Sequence, residues 1–131
     1  MKALTICQPY AHLIAIGEKR VENRTWYTPY RGPLLIHAGK SRAWLVDDDP
    51  QNMAFGAIVA QATLVACVTR LEIAQGKHDK AYPWLRDHLH VEGPWCWVLE
   101  DVIALPEPVP TTGFQGLWNC QWPMTVQKDL L

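Results

Sequence analysis

Gly17, Lys19, Glu22 and Arg24 crowd one short segment, and Trp26, Tyr27, Tyr30 and Arg31 follow at once. Arg24 offers a rigid planar fork of donors, Lys19 a mobile point charge or tunable amine, and Glu22 an acceptor able to orient both. A turn at Lys19 leading into an extended segment would point Glu22 and Arg24 to one side, with Lys19 folding back across the turn. The result is a charged pocket beside aromatic rings. Tyr10 and Trp26 are candidate borders for a base, since stacking contributes about 1 to 3 kcal/mol per base and basic groups attract phosphate or polar base edges. The same residues also read as a surface ion pair with a solvating lysine, worth about 0 to 1 kcal/mol. Trp26, Tyr10, Tyr27 and Tyr30 equally read as packing groups, and Arg31 as a structural residue at the Gly32-Pro33 turn.

A second cluster comprises His37, Lys40, Ser41 and Arg42. A short helix starting near Ser41 would present amide donors to a phosphate, with Lys40 and Arg42 adding positive charge. Solvated charges at a helix end explain them as well. His37 reads as a hydrogen-bonding residue at the edge of the core. Both clusters are expected on the rim of one pocket. His12, His78, His88 and His90 are too scattered to form a metal set, and no metal or cofactor is called for.

These side chains need positioning elements. Lys2 to Cys7 alternates in polarity as a strand does, with Leu4 and Ile6 on one face. Pro9 suits the first turn of a short helix through Ile16, which Gly17 can end in a left-handed turn. Val21 to Tyr30 reads as an irregular edge or loop because of Thr28-Pro29. Leu34 to Ala38 is an apolar strand. Ser41 opens a short helix holding Trp44 and Leu45, stopped by Asp47-Asp48-Asp49-Pro50. Ala57 to Val68 is a long or bent strand rich in β-branched residues. His78 to Leu89 can form a helical turn or two, interrupted at Pro83. Trp95, Trp97 and Leu99 share one strand face, opposite Cys96 and Val98. Leu105 to Pro110 reads as a proline-limited connector, and Phe114 to Val126 as barrel closure or an edge return. The fold class expected is α+β, a small mixed β-barrel with short peripheral helices; an open α+β sandwich is the alternative.

At 131 residues with 49% hydrophobic and 19% charged positions, the chain suits a single domain spanning 1–131 with its own core. Its net charge of -1 excludes a polycation that coats duplex DNA. The charge is nonetheless uneven, with seven basic and two acidic residues up to position 46, and five basic and eleven acidic ones beyond. A local basic site on a near-neutral protein follows. Cys7, Cys67, Cys96 and Cys120 lie far apart among apolar residues, as buried thiols rather than zinc ligands. The N-terminus lacks the pattern of a secretory leader, so a cytoplasmic location is expected. The apolar stretch from Met53 to Val68 is too short and interrupted to cross a bilayer, so no membrane role is expected.

The pattern Gly17-x-Lys19-x-x-Glu22-x-Arg24, followed by Tyr30-Arg31-Gly32-Pro33-Leu34-Leu35-Ile36-His37-Ala38, resembles the ASCH domain family. Gln8-Pro9-Tyr10-Ala11 and Gly116-Leu117-Trp118-Asn119 extend the resemblance over nearly the whole chain. The resemblance implies a PUA-like fold, a superfamily in which several members bind RNA or modified bases in a cleft. It therefore implies RNA or a modified nucleotide as partner, with Tyr10, Lys19, Glu22, Arg24, Trp26, Lys40 and Ser41 as ligand-binding candidates. Some bacterial relatives hydrolyse the acyl group of N4-acetylcytidine with lysine, threonine and glutamate, and others are linked to ribonuclease activity. An amidohydrolase acting on an N4-acylated cytidine is thus the enzymatic alternative, with Lys19 and Glu22 as its catalytic candidates. The expected threonine is Glu22 here, however, and a carboxylate does not inherit a hydroxyl's nucleophilic role. Thr25 points to the opposite side of an extended chain from Arg24. A protein-interaction domain using an aromatic edge around Trp118 and Trp122 is a third reading, though both residues also suit a core.

Overall fold

The structure, a computed structural model, describes residues 1–123. In chain order the elements are β1 (Lys2–Ile6), α1 (Tyr10–Ala15), β2 (Val21–Arg24), β3 (Gly32–Ala38), β4 (Ala57–Thr69), α2 (Arg70–Ala74), β5 (Trp95–Pro110) and β6 (Leu117–Asn119). The strands form one mixed sheet in the order β2-β5-β4-β3-β1-β6. Only β1 and β3 run parallel among these pairs, in a register that sets Thr5 opposite His37.

Alternation divides the strands between two faces. Leu4, Ile6, Leu34, Ile36, Trp97 and Leu99 bury one side beneath α1, which contributes Ala11 and Ile14. Ala3, Leu35, Ile58 and Trp118 form a second cluster. Val21, Cys96 and Val98 pack with Ile73 of α2 and with Leu85 in a third. Burial of a large apolar side chain contributes roughly 1.5 to 3 kcal/mol, so these clusters fix the strand ends from which the polar groups project. All four cysteines are free. Burial pushes the Cys67 and Cys96 thiols up from their ordinary values.

The sheet curls into a half-barrel. Pairing slips between Ile58 and Ala60, Gln61 and Thr63, and Leu64 and Ala66. Asp101 has φ 52°, between the paired residues Glu100 and Ile103. Such bulges add local twist and bend a long strand.

Several local expectations change. Val21–Arg24 is a regular edge strand, with Val21 opposite Val98 and Arg24 opposite Trp95, and the irregular part begins only after it. No helix starts at Ser41: residues 41–50 form turns, with Val46 N–H donating to Asp49 Oδ2 at 2.7 Å. Trp44 and Val46 are exposed there, so a helix would have no apolar stripe to bury. Leu105 to Pro110 belongs to β5 rather than to a connector. Pro106 and Pro108 are tolerated because pairing with β4 passes from Ala104 to Val109 without them, and β2 reaches only Trp95–Val98, so among the described residues no ladder needs their missing N–H groups. His78 to Leu89 forms hydrogen-bonded turns, including Tyr82 N–H to His78 O and Leu85 N–H to Tyr82 O. The helix α2 was not anticipated. Thr69 and Glu72 form its capping box, and the hydrogen bonds from Thr69 hold the Glu72 carboxyl below its ordinary range. Within Phe114 to Val126, Leu117–Asn119 returns along β1 as an edge strand; residues 124 to 126 lie outside the described part. Among the described residues no helix is long and apolar enough to cross a membrane.

Candidate functional site

At the ends of β1, β2 and β3 lies a cavity of about 650 Å³, within the size range of small-ligand sites. Arg24 and Lys40 supply its positive charge, Trp26 and Phe114 its aromatic borders, and Thr5 and His37 part of its polar wall. No carboxylate among the described residues lines it. Arg24 Nη2 donates to the Thr5 carbonyl at 2.9 Å, which ties the guanidinium of β2 to the end of β1. Trp26 meets the buried Trp97 ring edge-on, with centroids 4.8 Å apart, and the outer part of its own ring remains exposed. Phe114 is 61% exposed and leans edge-on against Trp118. Large apolar surface left in water beside cations can serve as a stacking platform.

One wall is a hydrogen-bond relay. His37 is only 2% exposed, and its Nε2 lies 2.8 Å from the Thr111 carbonyl, which can only accept. The Nε2 therefore carries the proton, and neutral Nδ1 accepts from the Thr5 hydroxyl at 3.1 Å. The Trp118 indole N–H in turn donates to Thr5 Oγ1 at 3.2 Å. Burial pushes the His37 pKa down; the Thr111 carbonyl opposes this by raising it, and the Lys40 charge lowers it further. Gly113 closes over the relay so tightly that a Cβ there would stand 2.5 Å from His37 Cε1 and 2.6 Å from Thr5 Oγ1. Only glycine permits that approach.

A smaller cavity of about 210 Å³ is lined by Tyr10, Lys19, Glu22, Asn23, Trp44 and Glu92. Gly17, at φ 88°, ends α1 in the left-handed region, and Lys19 N–H bonds back to the Leu13 carbonyl. This return buries the Lys19 side chain, 3% exposed, where its ammonium donates to the Val21 carbonyl and to Glu22 Oε1, the latter at 3.1 Å. It also lies 5.8 Å from the Tyr10 ring centroid. The other Glu22 oxygen pairs with Arg24 Nη2 at 3.0 Å. Glu22 thus joins the two cavities through Lys19 on one side and Arg24 on the other.

The expected single pocket is therefore two. Arg24, Trp26 and Lys40 line the larger cavity, whereas Tyr10, Lys19 and Glu22 line the smaller. Ser41 lines neither: it is exposed, and its hydroxyl accepts from Ala43 N–H at 3.2 Å. Arg31 bonds the Thr28 and Tyr30 carbonyls and clasps its own turn. Sequence reasoning did not assign Thr5, Gly113, Phe114, Trp44 or Glu92 to a site. Gly113-Phe114 was the available signal, an aromatic beside a residue that permits close backbone approach.

A profile of the ASCH domain matches residues 4–108. Activating signal cointegrator 1 from Homo sapiens is 57% identical over 35 residues, which are 27% of this chain and 6% of that protein. The protein of the same name from Mus musculus is 54% identical over 39 residues, 30% of this chain and 7% of its own length. The chain thus matches only a small part of these curated relatives. A crystal structure of ASCH from Zymomonas mobilis aligns over 98% of this chain and 92% of that one, with TM-score 0.58 and 16% identity. A structure of a point mutant of that protein aligns over 98% and 95%, with the same TM-score and identity. At that identity the likeness is one of fold.

Proposed function

The chain belongs to the ASCH domain family, and from that premise we propose that it binds RNA or a modified nucleotide in the larger cavity. The family's fold is generally implicated in RNA or nucleic-acid binding. The observation that carries the reading is the combination of Arg24, Lys40, Trp26 and Phe114 around one opening that no carboxylate among the described residues lines. Lys40 attracts a phosphate as a point charge, and Arg24 presents its guanidinium beside it. Trp26 and Phe114 offer ring faces to an unstacked base, as single-stranded recognition requires. The relay through Trp118, Thr5 and His37 keeps the polar wall in one protonation state near neutral pH.

Hydrolysis of an acylated cytidine has less support. Lys19 is already committed to Glu22 and the Val21 carbonyl, and among the described residues Tyr10 is the only hydroxyl-bearing side chain lining its cavity. A general base needs a neutral amine and a reacting group within reach. No chemical step is assigned.

Calorimetric titration with a short cytidine-rich RNA tests the reading. Lys40→Gln is expected to weaken binding about ten-fold at low salt and to flatten the slope of log affinity against log salt by about 0.7. Unchanged affinity and slope in both Lys40→Gln and Arg24→Gln would refute it. Chromatography of the same samples with N4-acetylcytidine reads any hydrolysis; appearance of cytidine would favour the enzymatic reading.

A further inference from the structure

Four aromatic side chains border the two cavities, two at each. Trp26 and Phe114 stand at the larger; Tyr10 and Trp44 stand at the smaller. Glu22 links the cavities through contacts of 3.1 Å to Lys19 and 3.0 Å to Arg24, so their polar groups are near neighbours. Their linings nonetheless differ in chemistry. Among the described residues the larger offers only cationic and neutral groups, whereas the smaller adds the carboxylates of Glu22 and Glu92 to Lys19. Two carboxylates beside one ammonium repel a phosphate, but they accept hydrogen bonds from an amino group. Trp44 is 61% exposed on the turns of 41–50 and makes no core contact that would explain a large ring there.

We propose that the smaller cavity is a second base subsite, which takes an amino-bearing base one nucleotide away from the nucleotide held in the larger cavity. The proposal rests on the functional reading above and specifies its substrate class: a single strand of at least two nucleotides, not a free nucleoside. The connecting phosphate stays on the Arg24 and Lys40 side, where no carboxylate among the described residues lines the wall. The second base stacks against the exposed Trp44 ring, and its exocyclic amine faces Glu22 and Glu92. The third N–H of the Lys19 ammonium, the one not given to Glu22 or the Val21 carbonyl, donates to a ring carbonyl of the same base. A cytosine edge matches this pattern, because its amine and carbonyl are a donor and an acceptor. Uracil presents a carbonyl where the carboxylates need a donor.

Titration of the full chain with cytidine monophosphate, CpC, uridine monophosphate and UpU tests this. Stacking of one further base at about 1 to 3 kcal/mol corresponds to a gain of roughly 5-fold to 150-fold. CpC is therefore expected to bind at least about five-fold tighter than cytidine monophosphate, and the gain of UpU over its monophosphate to be smaller. Trp44→Ala should reduce the CpC gain while cytidine monophosphate affinity stays the same; the exposed position lets the variant keep its fold, which an unchanged melting temperature verifies. Equal affinities for cytidine monophosphate and CpC would overturn the second subsite and leave the functional reading standing. A CpC gain that survives Trp44→Ala intact, or an equally large gain with UpU, would also overturn it. Absence of binding by all four ligands would defeat the functional reading and the subsite together.

Discussion

The larger and smaller cavities meet at Glu22, yet they are built in different ways. The larger is walled by backbone and relay: Gly113 presses on His37 and Thr5, and the ends of β1 and β3 hold both side chains in register. The smaller depends on a charge network, with a buried lysine held by a carboxylate and a backbone carbonyl, and with Trp44 and Glu92 supplied from exposed segments. The difference teaches where each can fail. Packing errors should damage the first, and loss of one charge should damage the second. Both draw their cations, Arg24 and Lys40 in the larger and Lys19 in the smaller, from the half of the chain that carries excess positive charge, but among the described residues only the larger has a lining free of carboxylates.

The strongest challenge to that contrast is Glu22→Ala. It leaves Lys19 buried without its carboxylate partner, and breaking a buried pair from one side costs about 3 to 5 kcal/mol. Denaturant unfolding should show a loss of that order. A loss below about 1 kcal/mol would mean that water already reaches the ammonium and that the network is not structural.

Gly113→Ala probes the packed wall instead. The added Cβ cannot fit without moving His37 or Thr5, and such overpacking costs about 1 to 3 kcal/mol. The expected result is a lower unfolding midpoint together with weaker nucleotide binding at the larger cavity. Trp118 fluorescence or its indole proton resonance should move as well, since that N–H donates to Thr5. An alanine variant with wild-type stability would show that the wall yields more easily than its distances indicate.

The smallest expected effect concerns acid. In the folded protein the His37 pKa is pushed below 6.5 by burial, so the unfolded chain binds the proton first as pH falls. Stability contributed by neutral His37 is therefore intact above about pH 6.5 and declines from there downward until the folded-state pKa is passed. His88 and His90 are pushed down mainly by burial too, and add to the same slope. His37→Gln should reduce the acid slope without abolishing it. An unaltered slope would mean that His37 protonates equally in both states.

Much of the site was legible because its residues are close in chain order. A turn after Gly17 followed by an extended segment is enough to gather Lys19, Glu22 and Arg24, and the observed pairs have that geometry. The apolar strand ending at Ala38 likewise brings Lys40 to the rim. The division into two cavities was not legible, because it depends on Phe114, Gly113 and Trp44 arriving from distant segments. The helix expected at Ser41 failed because local start and stop signals do not supply a face to bury. Conversely, Thr69-x-x-Glu72 carried a readable capping box within a stretch that looked like the end of a strand. Leu105 to Pro110 looked like a connector because its prolines argue against a central strand; the break in pairing with β4 between Ala104 and Val109 removes that objection for Pro106 and Pro108.

The central claim is that the larger cavity holds the nucleotide. Nitrogen-15 NMR titration of the full chain with cytidine monophosphate tests it most directly, since each backbone amide and indole reports its own surroundings. The account predicts the largest shifts at Trp26, Lys40 and Phe114 and at the Trp118 indole, with Trp84 and His88 of the α2 side unmoved. Shifts concentrated at Trp84 and His88, with the Trp26, Lys40 and Phe114 signals unchanged at saturation, would contradict it.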